Sequence, residues 1–225
     1  QLIKNILITG ANGQDGKIIL QKLYKRKINL ILIDKRFEKK IRNKNIKYFE
    51  INLKDKNKLK KLFKFYKIDL VLNLASNNPN FGQNNYQKHY LENINNSKNL
   101  IDNITKYKNK VRFISCSSSR IFREKKGLVN ENSNIFAKDF YSKFRIETNK
   151  YLIKTKKRYK NFDFTNVILF NHDSFFRSNR FLIPRIIFAL ISKDQKFLNE
   201  IIRENIVMDY SHAEDICDAL IKILF

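Results

Sequence analysis

The stretch Asn5-Ile-Leu-Ile-Thr-Gly-Ala-Asn-Gly-Gln-Asp-Gly16 decides the fold. Ile6, Leu7 and Ile8 form a short apolar run of the kind a buried strand presents, and the run breaks at Gly10. Gly13 and Gly16 follow at three-residue spacing, and behind them Ile18, Ile19, Leu20 and Leu23 share one helical face. Strand, glycine turn and helix in that order bring backbone N–H groups and a helix N-terminus against a dinucleotide pyrophosphate. Alone, such glycines also fit an ordinary turn of an α/β protein, so their context matters. Three of the chain's five glycines sit here, and a second apolar strand from Asn29 ends in Asp34. That is the distance at which a carboxylate bonds an adenosine ribose. The stretch therefore reads as a nicotinamide-dinucleotide site, with Gly10, Asn12, Gly13, Gln14, Asp15 and Gly16 in the turn and Asp34 at the ribose.

Outward from this stretch, strands and helices alternate. Lys47 to Ile51 reads as a third strand, followed by Asn52 and Leu53 and a helix from about Asp55 to Tyr66. Asp69 to Asn73 is the fourth strand, followed by the loop Leu74-Ala-Ser-Asn-Asn-Pro. A long helix is expected over 84–107, with Leu91, Ile94, Leu100, Ile101 and Ile104 as its apolar positions. Val111 to Ser115 is the fifth strand, a helix spans about Phe140 to Arg158, and Phe164 to Phe170 is the sixth strand. Repetition of this unit predicts a doubly wound parallel sheet over residues 1–170. Such sheets bind ligands at the C-terminal ends of their strands. This adds Asn52, Leu53, Leu74, Ala75 and Ser76 to the candidate cofactor set. Beyond Phe170 the pattern changes: Asn171 to Ser174 reads as a polar loop, Phe181 to Ile191 as an apolar helix, Ile206 to Met208 as a short strand, and a last helix begins near Ser211. Residues 171–225 leave room only for a short or truncated substrate-binding part packed on the same domain, and Gln1 is not an initiator residue, so a fragment or trimmed chain is expected.

Composition narrows the function classes. No apolar run reaches membrane-span length and no signal-peptide layout opens the chain. Cys116 and Cys217 match no metal-ligand spacing, so neither a metal site nor a disulfide framework is expected and a reduced, cytoplasmic setting follows. The net charge is +25, and residues 1–67 hold 20 of the 46 Lys and Arg but 5 of the 21 Asp and Glu. Such a surface attracts polyanions. Lys54, Lys56, Lys58, Lys60, Lys61 and Lys64 nevertheless read as a solvated face, and Lys, Asn, Ile and Phe are all abundant together, so nucleic-acid binding is not expected to be the main activity.

Motifs along nearly the whole chain resemble the extended short-chain dehydrogenase/reductases of the nucleotide-sugar epimerase/dehydratase group, above all the GDP-mannose 4,6-dehydratases. Thr9-Gly-Ala-Asn-Gly-Gln-Asp-Gly resembles their Thr-Gly-x-x-Gly-Gln-Asp-Gly opening, and Asn73-Leu-Ala-Ser resembles Asn-Leu-Ala-Ala. Asn93-x-x-Asn-Ser-x-x-Leu-Ile is similar to a helix segment of the family, Ile168-Leu-Phe-Asn-His-Asp-Ser resembles Ile-Leu-Phe-Asn-His-Glu-Ser, and Asp209-Tyr-Ser-His-Ala-Glu-Asp resembles Asp-Trp-Gly-His-Ala-Lys-Asp. The resemblance implies hydride transfer from a sugar C4 to NAD or NADP, then loss of water across C5 and C6. GDP-mannose is the implied substrate and a homo-oligomer the implied assembly. It places the hydroxyl of the proton relay at Ser118 and its tyrosine at Tyr141, with Asn171, His172, Arg177 and Arg185 as candidates for the sugar nucleotide.

Departures from the family pattern are equally specific. Arg145 stands four residues after Tyr141, where the family has lysine; Lys143 is the other candidate, and would put Asp139 at the tyrosine position. Arg120 stands where the dehydratases carry a glutamate, and Met208 where they carry a diphosphate-binding arginine. A cation cannot remove the C5 proton, which keeps three alternatives open: an epimerase, a 4-keto reductase, or a homologue that binds the dinucleotide without turnover. Asp34 favours NAD, whereas Lys35 and Arg36 resemble the residues that hold a 2′-phosphate in NADP-using members.

Overall fold

The apolar run around Leu7 folds as strand β1 (Asn5–Thr9), and the residues behind the glycine turn fold as helix α1 (Gln14–Leu23). The computed structural model describes residues 3–78, 86–107, 110–123, 127–204 and 206–225. In it the chain continues through β2 (Asn29–Asp34), β3 (Ile46–Glu50), α2 (Lys56–Phe65), β4 (Leu70–Asn73), α3 (Tyr86–Tyr107), β5 (Val111–Ser118), α4 (Phe140–Arg158) and β6 (Phe162–Leu169). These six strands pair in parallel in the order β3-β2-β1-β4-β5-β6. This is the expected doubly wound sheet. Strand order reverses at β1, so a crevice opens between the ends of β1 and β4.

Period-two alternation explains why the strands read apolar at nearly every position. Ile6, Ile8, Leu30, Leu32, Leu70 and Leu72 face α1, where they meet Ile18, Ile19 and Leu23. Leu7, Ile31, Ile33, Val71 and Phe113 face the opposite side, where they meet Leu59, Leu62 and Phe63 of α2 and Leu100, Ile101 and Ile104 of α3. Both faces are covered, and each fully buried aliphatic side chain contributes about 1.5–3 kcal/mol. α2 begins at Asp55, whose carboxylate accepts the Lys58 backbone N–H at 3.0 Å, and its lysines stay exposed as expected.

After β6 come β7 (Asn171–Asp173), α5 (Leu182–Ser192), α6 (Gln195–Arg203), β8 (Tyr210–His212) and α7 (Ala213–Leu224). α7 returns to the main sheet: Ala213, Cys217, Leu220 and Leu224 are buried against the α1 side.

Four expectations need correction. Asn171 to Asp173 is a strand rather than a loop, because it pairs in parallel with Tyr210 to His212 through Asn171↔Tyr210 and Asp173↔His212. Ile206 to Met208 is exposed and irregular; the strand lies further on, where that pairing partner is available. Leu91 is exposed rather than buried, since the inward place on this turn of α3 belongs to Asn93, which clamps the Asn77 backbone by donating to its carbonyl at 3.0 Å and accepting its N–H at 2.8 Å. α6 was not anticipated, although Asp194 caps it through the Phe197 N–H at 3.1 Å. The expected helix start at 84 and Pro79 of the fourth-strand loop lie outside the described residues.

Candidate active site

The glycine turn works by close approach. Gly10 has φ +68°, and a Cβ there would lie 2.8 Å from the Ala75 backbone nitrogen. Gly16 lets α1 descend onto the turn, since a Cβ would lie 2.6 Å from Ala11 backbone atoms. The first and third glycines therefore meet the steric demands of a dinucleotide turn, and Gly13, exposed at the N-cap of α1, leaves backbone N–H groups facing outward. The resulting cleft has a volume of about 320 Å³. Gly10, Asn12, Gly13, Gln14, Asp15, Gly16, Asp34, Lys35, Asn52, Leu53, Leu74, Ala75 and Ser76, all sequence candidates, line it together. Arg36 does not line it and is exposed.

Asp34 is held for its task. One carboxylate oxygen accepts the Asn12 N–H at 2.8 Å and the other the Lys35 N–H at 2.7 Å, fixing the charge at the end of β2. Asn77, Asn78, Asn93 and Asn96 also line the cleft but were not singled out as site residues; Asn93 and Asn96 stood inside the quoted α3 motif, and Asn77 and Asn78 in the loop after the fourth strand.

A second cleft of about 200 Å³ adjoins the first, with Asp15, Leu74, Asn78 and Arg177 lining both. It is lined by Ser118 from the end of β5, Tyr141 and Arg145 from α4, and Asn171 and His172 from β7. α4 is started by a capping box in which Asp139 accepts the Ser142 N–H at 2.7 Å and Ser142 Oγ accepts the Asp139 N–H at 3.0 Å. That fixes Tyr141 in the first turn and Arg145 one turn later on the same face. Arg145 Nη2 donates to Tyr141 Oη at 2.9 Å and to Ser76 Oγ at 3.2 Å, while Nη1 donates to the Cys116 carbonyl. Ser118 Oγ accepts the Arg120 N–H at 3.3 Å. Tyr141 Oη and Ser118 Oγ each accept a protein N–H, while the Ser76 hydroxyl donates to Asn78 Oδ1 at 2.8 Å.

Three candidates are placed elsewhere. Lys143 is exposed, with its ammonium 5.5 Å above the Tyr90 ring, and does not line the cleft; Asp139 is the helix cap. Arg185 stacks 4.4 Å over the Phe197 ring and does not line the cleft. Arg120 is committed to an ion pair with Asp139, outside the cleft lining.

The acids of the second cleft are both engaged. Asp15 Oδ2 lies 3.2 Å from His172 Nε2, and His172 Nδ1 lies 2.7 Å from the Phe170 carbonyl. Burial by itself would raise the Asp15 carboxyl, but the hydrogen bond and charge of His172 outweigh it and hold the group below the ordinary carboxylate range. Burial opposes a charged His172, yet Asp15 and the Phe170 carbonyl raise it above an ordinary histidine. Asp173 accepts the Tyr210 hydroxyl and lies 2.9 Å from Arg177 Nε as a charge contact. Asp173 and Tyr210 were quoted within motifs without a role; pairing of β7 with β8 brings them together. Cys116 is no nucleophile, since burial pushes its thiol up to about 12.

A model of the NAD dependent epimerase/dehydratase family matches residues 6–224. The chain belongs to this family. Comparison with curated proteins finds none that matches. Among solved structures of similar fold, UDP-glucose 4-epimerase from Thermotoga maritima, with UDP-glucose, is 20% identical, with a TM-score of 0.75 over 96% of this chain and 71% of its own. UDP-N-acetylglucosamine 4-epimerase from Methanobrevibacter ruminantium is 21% identical, with a TM-score of 0.78 over 97% and 72%. dTDP-glucose 4,6-dehydratase from Bacillus anthracis, in complex with NAD, is 17% identical, with a TM-score of 0.78 over 98% and 71%. The family's description covers both epimerases and dehydratases, so it leaves the reaction to be argued from the site. Among the described residues no helix is long and apolar enough to cross a membrane, and no group of His, Cys, Asp and Glu could hold a metal ion.

Proposed function

We propose that this epimerase/dehydratase family member binds NAD and a nucleotide sugar and reversibly oxidises a sugar carbinol, in the manner of a 4-epimerase. The observation that carries this reading is the Arg145–Tyr141 hydrogen bond in a cleft that Ser118 also lines, beside the glycine turn. Gly10, Gly13 and Gly16 would hold the dinucleotide pyrophosphate, and Asp34 the adenosine ribose of NAD while repelling a 2′-phosphate. When bound, the nicotinamide accepts a hydride from the sugar carbon and gives it back. Tyr141, as the phenolate whose charge the Arg145 guanidinium stabilises, takes the hydroxyl proton and becomes neutral, and Ser118 shares that proton. Asn171, His172 and Arg177 line the side on which the sugar nucleotide would sit, within residues 171–225.

Epimerisation needs only this proton relay and presentation of either sugar face. Elimination of water also needs a base at C5, and the carboxylates lining the second cleft, Asp15 and Asp173, are both paired. A second reading, a 4,6-dehydratase acting on GDP-mannose, is favoured by the Ile168–Ser174 and Asp209–Asp215 segments, which resemble that family's. Incubation with NAD and UDP-glucose, UDP-N-acetylglucosamine, dTDP-glucose or GDP-mannose, followed by chromatography and mass spectrometry, separates the readings. A new peak of unchanged mass is expected. A product lighter by one water would establish the dehydratase instead, and NAD binding without conversion of any of them would overturn both.

A further inference from the structure

Because the six strands run parallel, their starts line one edge of the sheet, about 15 Å from the crevice at their far ends. At that opposite edge a cleft of about 400 Å³ is lined by Lys44, Lys47 and Lys67 together with Phe65, Tyr66 and Asn29. Phe65, the last residue of α2, is 81% exposed, so its ring face is open to solvent beside these lysines. The Lys47 ammonium lies 4.7 Å above the Tyr66 ring. No ion pair engages Lys44, Lys47 or Lys67 among the described residues. Asp69, just ahead of β4, is taken up by the Lys4 and Asn5 backbone N–H groups and by Asn5 Nδ2. The surrounding stretch, residues 35–67, carries 14 Lys and Arg against 3 Asp and Glu.

A bare aromatic ring among unpaired lysines is the arrangement on which an unstacked base and its flanking phosphates settle. A duplex keeps its base faces covered and could use only the charge. We propose that this edge binds single-stranded nucleic acid, with a base stacked on Phe65 and phosphates held by Lys44, Lys47 and Lys67. The surface lies apart from the dinucleotide cleft, so occupancy of one leaves the other open, and the proposal stands whichever sugar reaction the protein performs.

The test is fluorescence polarisation of a labelled 12-nucleotide oligouridine, titrated with the purified chain without NAD and at saturating NAD, each at several salt concentrations. Phe65→Ala is expected to weaken binding about tenfold while leaving the salt dependence unchanged, and Phe65→Tyr to preserve affinity. Combined Lys44→Gln, Lys47→Gln and Lys67→Gln should lower the slope of log K against log salt by about 2. All four side chains are exposed, so circular dichroism should show an unchanged fold. Unchanged affinity in Phe65→Ala, displacement of the oligonucleotide by NAD, or equal or tighter binding to a duplex or to phosphatidylserine vesicles would each overturn the proposal.

Discussion

The contact between Asp15 and His172 joins the glycine turn to β7, and its protonation can be worked out from geometry. His172 Nδ1 faces a carbonyl at 2.7 Å, which can only accept, so that nitrogen carries a proton. The other nitrogen faces the Asp15 carboxylate at 3.2 Å, with the two side chains only 11% and 19% exposed. A raised histidine and a lowered carboxyl make this an imidazolium–carboxylate pair. The histidine's contribution is complete below its unfolded pKa of about 6.5 and disappears as pH rises through its raised folded value. The aspartate's contribution is complete above about 3.9 and disappears as pH falls through its lowered value. The pair is therefore most stabilising between about pH 4 and 6.5. Asp15→Asn keeps the shape and removes the charge, and a charge-assisted hydrogen bond contributes about 1.5–3 kcal/mol. The substitution should lower the unfolding free energy by about 2 kcal/mol at pH 5.5, and by progressively less above the raised His172 value, where a neutral ring turns its lone pair toward the carboxylate. Urea unfolding followed by circular dichroism suits a chain without tryptophan. His172→Gln, alone and combined with Asp15→Asn, completes the cycle, and coupling should appear at pH 5.5 and fade at pH 9. A penalty equal at both pH values would refute the assignment of charge to this pair.

Gly16→Ala places a Cβ 2.6 Å from Ala11 backbone, which cannot move aside as a side-chain tip can; destabilisation of about 1–3 kcal/mol is expected, read as a lower melting temperature together with weaker NAD binding by calorimetry. Tyr141→Phe removes the proton acceptor while leaving the glycine turn intact, so turnover should fall about 10²–10⁴-fold with NAD affinity unchanged. Asp34→Ser removes the charge that repels a 2′-phosphate and leaves Lys35 in the cleft lining; calorimetry should show the NADP-to-NAD affinity ratio rising about tenfold, or about 1.4 kcal/mol.

The glycine turn and the sheet were legible because each rests on local chemistry that tolerates few substitutes. A glycine at φ +68° and strands apolar on both faces leave direct marks in the sequence. The far half of the site left fainter marks. β7 and β8 are three residues each, polar, and held by a pairing 39 positions apart in the chain, so neither alternation nor a turn signal reveals them. Asn93 was misjudged in favour of Leu91 because helical periodicity assumes an apolar inner face, whereas this turn of α3 must hold a loop backbone. Lys143 and Arg145 could not be separated by spacing; the capping box at Asp139 sets the helix phase that turns Lys143 outward and Arg145 inward.

Two arginines stand where the resemblance leads one to expect other residues, and the structure gives them opposite meanings. Arg145 replaces a cation by a cation. Its planar fork reaches Tyr141, Ser76 and the Cys116 carbonyl at once, which a single ammonium could do only with other geometry, so the charge beside the phenol is kept and its position is more tightly fixed. Arg120 replaces a carboxylate by a cation, reversing the charge, and its guanidinium is drawn to Asp139 at the head of α4. That ion pair leans on the same cap that positions Tyr141, with the Arg120 guanidinium 5.9 Å from the Tyr141 ring. On the proposed reading, Arg120 supplies no base for elimination, and its ion pair supports the cap of the helix that carries Tyr141. This contrast between the two arginines is the ground on which reversible oxidation of the sugar is proposed above dehydration.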